Sequence, residues 1–206
     1  MKKNIFNIVV IAAIIVISGI FTSCRKIDSI MLCKDWKVVS LSNKLEYNNK
    51  TFETTFDGTQ KKDTYTVKDS AYSPDSTFTY VKTKTATGAI YITFHKKGSY
   101  DYTESFKDDT TGVTTNKIDD GFWYYTGPNN KSGYKLAEQL ALQSNKITLN
   151  SNSGTIYTTI YDGDNTLTIY EISTLKSKKV ELIMDKSEKI NFIQYVTTSK
   201  LTLEPK

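Results

Sequence analysis

The sequence has little of what most enzyme chemistry needs. It holds 2 cysteines, Cys24 and Cys33, and 1 histidine, His95, among 206 residues. With one histidine and so little thiol, a zinc site would have to be built mostly from carboxylates, which zinc rarely accepts. A nucleophilic hydrolase needs a base oriented by a third group, and no Gly-x-Ser-x-Gly elbow is present. His95 follows Ile92 and Phe94 with the opposite parity, which predicts an exposed side chain near a strand end. The neighbouring acids Asp108-Asp109 and Asp119-Asp120 read as solvated loop pairs, whereas a glycosidase requires two acids facing across a cleft. Asp162-Gly163-Asp164-Asn165 stops after two acids with no closing glutamate, so it reads as a hairpin turn before it reads as a calcium loop. The expectation is a chain with no catalytic residue, no metal and no cofactor.

Charge of one sign is also scarce. The formal net charge is +5, and it falls to +3 (5 − 2) without Lys2 and Lys3. A balance so near neutral argues against a nucleic-acid partner.

Long apolar runs occur at the start of the chain. Lys2 and Lys3 precede a run from Ile8 to Ile20, and the small residues Thr22 and Ser23 precede Cys24. A basic start, a short apolar stretch and small residues before a cut form an export signal. The run carries Ser18 and Gly19 and is shorter than a default membrane span. The cysteine after the small pair resembles the acylation site of bacterial lipoproteins. That resemblance implies a signal peptide over 1–23, a lipidated tether over 24–31, Cys24 as the lipid-bearing residue, and an outer-membrane lipoprotein held to the membrane through its acylated Cys24 (the palmitate class of modification). Several acyl chains anchor stably where one does not. Arg25 and Lys26 follow in place of an acidic cluster, so both a periplasm-facing and a cell-surface position stay open.

The remaining 183 residues (206 − 23) suit a single domain over 32–206 with an adequate core. With Cys24 acylated, Cys33 has no partner for an internal disulfide, so packing must hold the fold; Cys33 is expected to be a small core residue. Period-two alternation dominates. Trp36 and Val38 share a face; Ile90, Ile92 and Phe94 run into a turn at Lys96-Lys97-Gly98-Ser99 and return as Tyr100, Tyr102 and Phe106. Gly121-Phe122-Trp123-Tyr124-Tyr125 is an aromatic strand that ends at Gly127-Pro128, and further short strands follow from Ile147 to Leu203. Residues 43–75 are polar and turn-rich and read as a loop-rich insertion with short strands at 51–56 and 64–68. Leu136 and Leu140, and Ala137 and Ala141, lie four apart and predict one short helix over 134–143. Many short strands without helical crossovers indicate an antiparallel all-β sandwich or barrel.

The order of these signals resembles the lipocalin-like lipoproteins of Bacteroidota. The likeness rests on Leu32…Trp36, on Ile92-Thr93-Phe94 through Gly98-Ser99-Tyr100, on Gly121-Phe122-Trp123, and on Tyr157…Ile160 followed by Leu167-Thr168-Ile169. Two features depart from the pattern: Cys33-Lys34-Asp35 stands where a glycine is usual, and 43–87 is long. The resemblance implies an up-and-down barrel of about eight strands, wide enough for side chains or one small ligand. Fold alone assigns no function.

The aromatics Trp36, Phe94, Tyr100, Tyr102, Phe122 and Trp123 lie on strands that a barrel brings together. Their first expectation is core filling. The functional one is that Trp36, Phe94, Tyr100, Tyr102 and Trp123 line a cavity for a small apolar or lipid-like ligand. Three readings of function follow: a lipid-anchored envelope binding protein without catalysis; a solid barrel that docks an outer-membrane partner or a glycan; and an enzyme acting on a carbohydrate or ester. Asp28-Ser29-Ile30, Asp69-Ser70-Ala71, Asp75-Ser76-Thr77 and Asp109-Thr110-Thr111 resemble O-glycosylation sites of Bacteroidota envelope proteins.

Overall fold

The computed structural model describes residues 31–69, 78–128, 138–152, 156–161 and 166–206. The signal segment, Cys24, the part of the turn-rich stretch over 43–75 that lies beyond Asp69 and the turn expected at Asp162–Asn165 lie outside the described residues. Among the described residues eleven antiparallel strands follow in order: β1 (Asp35–Tyr47), β2 (Lys50–Phe56), β3 (Gln60–Asp69), β4 (Phe78–Phe94), β5 (Ser99–Asp108), β6 (Thr114–Pro128), β7 (Glu138–Ser151), β8 (Ile156–Ile160), β9 (Leu167–Lys176), β10 (Lys179–Ile190) and β11 (Ile193–Pro205). The sheet order β6-β5-β4-β3-β2-β1-β11-β10-β9-β7-β8 is joined into a ring by pairing of β6 with β7. The result is a closed barrel of ten strands, with β8 as an extra strand beside the second half of β7.

The all-β barrel expected from the alternation is present, but its strand count differs from eight, and the reason is local. At one end β1 pairs directly with β4, Trp36 opposite Ile92. Beyond Lys37 the two strands part, and the hairpin β2–β3 enters between them, pairing with β1 on one side and β4 on the other. Its tip is the turn at Asp57-Gly58. Gly58 adopts φ +96, and a Cβ there would lie 3.2 Å from the Val39 carbonyl oxygen. Val39 is the extra residue of a bulge in β1 between Val38 and Ser40, and bulges bend a strand at such corners. The Asp57 carboxylate accepts from the backbone N–H groups of Thr59 at 3.0 Å and Gln60 at 2.8 Å, which closes the turn. The stretch over 43–75 is therefore no loop-rich insertion as far as Asp69: it is the upper half of β1 and two wall strands. Its threonine-lysine composition reflects walls wet on both sides rather than a loop.

The helix expected over 134–143 is also overturned where it can be seen. Residues 138–143 belong to β7, with Leu140 and Ala141 set opposite Tyr125 and Tyr124 of β6 and Tyr170 and Ile169 of β9. Leu140 and Leu142 are two apart as well as part of a fourfold spacing, and ladder partners on both edges select the strand. Residues 129–137 lie outside the described part. Among the described residues, α-helical conformation is confined to Met31 and Leu32.

The core sits at the end where β1 meets β4. Leu32, Trp36, Val38, Leu140, Val180, Leu182 and Leu203 are fully buried there, with Ile90, Phe94 and Tyr100 nearly so. The chain enters beneath the barrel, and the Leu32 carbonyl accepts from the Trp36 indole Nε1 at 2.8 Å, so the buried indole leaves no donor unmet. The Lys34 ammonium covers the Trp36 ring at 4.4 Å and reaches the Ser177 carbonyl of the β9–β10 turn. Phe94, Trp123 and Tyr125 pack edge to face at 5.7 and 5.6 Å between centroids, the arrangement aromatic quadrupoles favour. Gly88 of β4 and Gly121 of β6 mark close approaches: a Cβ would meet the Ser105 carbonyl oxygen at 1.9 Å and the Gln143 carbonyl oxygen at 2.2 Å, respectively. Cys33 is partly buried against this core, where burial pushes its thiol up and the Lys96 charge opposes that shift.

Candidate functional site: the barrel cavity

Above the core the barrel is hollow. A cavity of about 480 Å³ is lined from all ten ring strands. This volume lies in the range of sites that enclose a small molecule, about 300–1,000 Å³. Its floor is apolar, made by Val38, Ile90, Ile92, Leu182 and Leu203. Its upper wall is a belt of polar side chains that alternation points inward.

The belt has two parts. In the first, the Tyr100 hydroxyl donates to Asp119 Oδ1 at 3.1 Å, the Ser144 hydroxyl donates to Asp119 Oδ2 at 3.0 Å, and the two hydroxyls lie 3.1 Å apart. Asp119 is 9% exposed. Burial pushes its carboxyl above the usual aspartate range, against hydrogen bonds from Ser144 and Tyr100 and the charge of Lys117. A bulge at Asn145 in β7 keeps both Ser144 and Ile147 facing inward, because Asp120 pairs with Lys146 while Gly121 pairs with Ser144. Gly121 itself lets the Tyr100 ring lie against the β6 backbone, since a Cβ would come within 2.7 Å of that ring. In the second part, the Tyr102 hydroxyl donates to Glu104 Oε2 at 2.9 Å, and Lys61 Nζ donates to Glu104 Oε1 at 3.0 Å. Lys61 also lies 3.6 Å from Asp63. Tyr170 of β9 hydrogen-bonds Ser199 of β11, and burial pushes its hydroxyl up. Burial is likewise the largest cause of the raised Tyr100 and Tyr102 hydroxyls, with the neighbouring acids adding to it.

Of the aromatics expected at a cavity, Tyr100 and Tyr102 stand on its wall. Trp36, Phe94 and Trp123 are not among its lining residues; they fill the closed end below. Phe122 points outward and is 52% exposed. Asp119 corrects the reading of Asp119-Asp120 as a solvated loop pair, since it is a buried wall residue of β6. Asp108 and Asp109 do sit on an exposed turn, where Asp108 accepts from the Thr110 and Thr111 backbone N–H groups at 2.9 and 2.7 Å. The Asp109-Thr110-Thr111 triplet occupies that turn, while Ser29, Ser70 and Ser76 of the other triplets fall outside the described residues. His95 is exposed after β4, with Nε2 2.7 Å from Asp101 Oδ2. Among the described residues no group of three or more His, Cys, Asp or Glu is placed to hold a metal.

Lys61, Glu104, Lys117, Asp119, Ser144 and Tyr170 are among the wall residues that sequence reasoning missed. A signal was available: Glu104 shares parity with Tyr100, Tyr102 and Phe106, and Lys117 and Asp119 share parity with Trp123. No family model, no curated protein and no solved structure matches the chain. The strand motifs quoted above are thus the whole support for a family resemblance.

Proposed function

We propose that the chain is a non-catalytic binding module of the cell envelope, anchored through an acylated Cys24, whose barrel cavity holds one small amphipathic molecule. The observation that carries this reading is the 480 Å³ cavity with an apolar floor and a hydrogen-bonding belt. Burying an apolar body on the floor drives association, and the belt orients the polar end. The lipoprotein-like start supports the location, and the strand motifs support a lipocalin-like module. The polar belt moves the expected ligand from a purely apolar one to one with a polar head.

Every described strand and the buried core lie within 31–206, with β1 and β11 paired along their length. Residues 25–206 thus carry a complete barrel without the acylated cysteine. Native mass spectrometry of that stretch, after mild purification from an envelope extract, tests the reading. A discrete adduct lost on denaturation is expected. A bare mass across all gentle conditions would move the reading to a barrel that docks a partner on its outer surface.

That second reading has one observation of its own. Phe192 is 94% exposed at the β10–β11 tip and holds φ +67, a conformation that bulky residues rarely adopt. Binding of envelope proteins to the wild type, lost in Phe192→Gly, would favour it.

A further inference from the structure

We infer that the belt of the cavity receives an organic ammonium group carried on an apolar body. The inference rests on the cavity reading above and names the class of ligand for that same site.

The first observation is the state of Asp119. It is nine-tenths buried, yet both carboxylate oxygens meet neutral hydroxyls, those of Tyr100 and Ser144. Among the described residues it makes no ion pair. A buried carboxylate is costly unless a positive charge accompanies it, so the wall carries an unmet need for a cation. The second observation is that the cations nearby are committed or distant. Lys61 is shared between Glu104 at 3.0 Å and Asp63 at 3.6 Å. Lys117 places its ammonium over the Tyr102 ring at 5.3 Å, and its charge does not offset the desolvation of Asp119. The third observation is the potential at the hydroxyls. Burial is the largest cause of the raised hydroxyls of Tyr100, Tyr102 and Tyr170; the charge of Asp119 adds to it at each, and Glu104 adds more at Tyr102. The acids therefore set the field that a ligand head would enter.

The chemistry selects among heads. An ammonium offers several charged donors to the free lone pairs of Asp119, and tyrosine faces attract a cation as well. An alcohol offers one neutral donor. A carboxylate would face Asp119 and Glu104 across a site of low dielectric, with Lys117 as the one uncommitted counter-charge among the described lining residues. The apolar floor beneath then takes the hydrocarbon part.

Three ligands with one tail separate these cases: octylammonium, octanol and octanoate, titrated calorimetrically into residues 25–206 at neutral pH. The expected order places octylammonium first. Asp119→Asn, which keeps an acceptor for Tyr100, should weaken it by about 10- to 100-fold, the worth of a hydrogen bond to a charged group, and change octanol little. Lys117→Met should leave octylammonium unchanged or tighter. Circular dichroism melting shows that each variant is folded. Octanoate binding tightest, and weakened by Lys117→Met, would overturn the inference in favour of an anion site. Equal binding of all three tails, insensitive to Asp119→Asn, would overturn it while leaving the cavity as a binding site. No binding of any tail to a folded barrel would overturn both.

Discussion

The two ends of the barrel obey the same alternation and come out differently. At the closed end β1 and β4 pair directly, so β2 and β3 are absent from the ring and eight of its ten strands remain (10 − 2). An eight-stranded ring is about the width that side chains can fill, and Trp36, Phe94, Leu182 and Leu203 do fill it. Past the bulge at Val39 the hairpin β2–β3 widens the wall to ten strands, and side chains of ordinary length no longer meet across it. The lumen is the consequence. Inward positions there carry Asn43, Thr54, Lys61, Glu104 and Asp119, groups that the closed end excludes. The packed core thus lies at one end and the open lumen at the other, and one wedge separates them.

The largest expected effect is at the closed end. Trp36→Ala should cost about 3–5 kcal/mol, the scale for truncating a buried tryptophan, measured by denaturant unfolding. Unchanged unfolding would show that the core is not centred on this residue. Next comes the wedge itself. Gly58→Ala should cost about 1–2 kcal/mol, because its left-handed backbone and its approach to Val39 both disfavour a side chain. The comparison sharpens if this variant also alters ligand uptake, since the tip sets where the wall widens.

A third prediction concerns pH. The folded state holds the Asp119 proton more tightly than the unfolded chain does, because burial raises its pKa. Its contribution to stability is therefore greatest at acid pH and is lost as pH rises from the ordinary aspartate range through the raised value. Asp57, Asp108 and Glu181, whose carboxyls hydrogen bonds pull down, have the opposite slope. The difference between the wild type and Asp119→Asn across pH isolates the cavity acid, and it should narrow in favour of the variant as pH rises. A flat difference would mean that Asp119 is solvated. The smallest effect is at the open rim. Phe192→Gly should raise stability by about 0.5–1 kcal/mol, since the ring buries nothing and a glycine after Asn191 suits a turn with two positive φ values.

The closed end was legible in the sequence. Ile90, Ile92, Phe94, Tyr100 and Phe106 alternate with polar residues, and their inward placement follows from period two alone. The turn at Lys96–Ser99 was equally plain, because Gly98 supplies the φ of +84 it needs. The cavity was not legible, for a physical reason: alternation is read as apolar inside and polar outside, and a wide barrel reverses that rule above its core. Asp119 and Glu104 look like solvent residues until the ring is known to be ten strands wide. That width depends on a register between β1, β2, β3 and β4 that no local pattern fixes. Leu140 and Ala141 show the complementary failure, as a four-residue spacing compatible with a helix that was decided by partners on β6 and β9.

The central claim is that the lumen above the core is a binding site. Leu142 lines it from β7, and Leu142→Trp would fill part of the space. The direct test is titration of an uncharged environment-sensitive dye into the wild type and Leu142→Trp, with melting followed for both. The account predicts one dye bound per wild-type chain and none in a variant that still melts cooperatively. Equal binding to both folded proteins would place the dye elsewhere and contradict the claim.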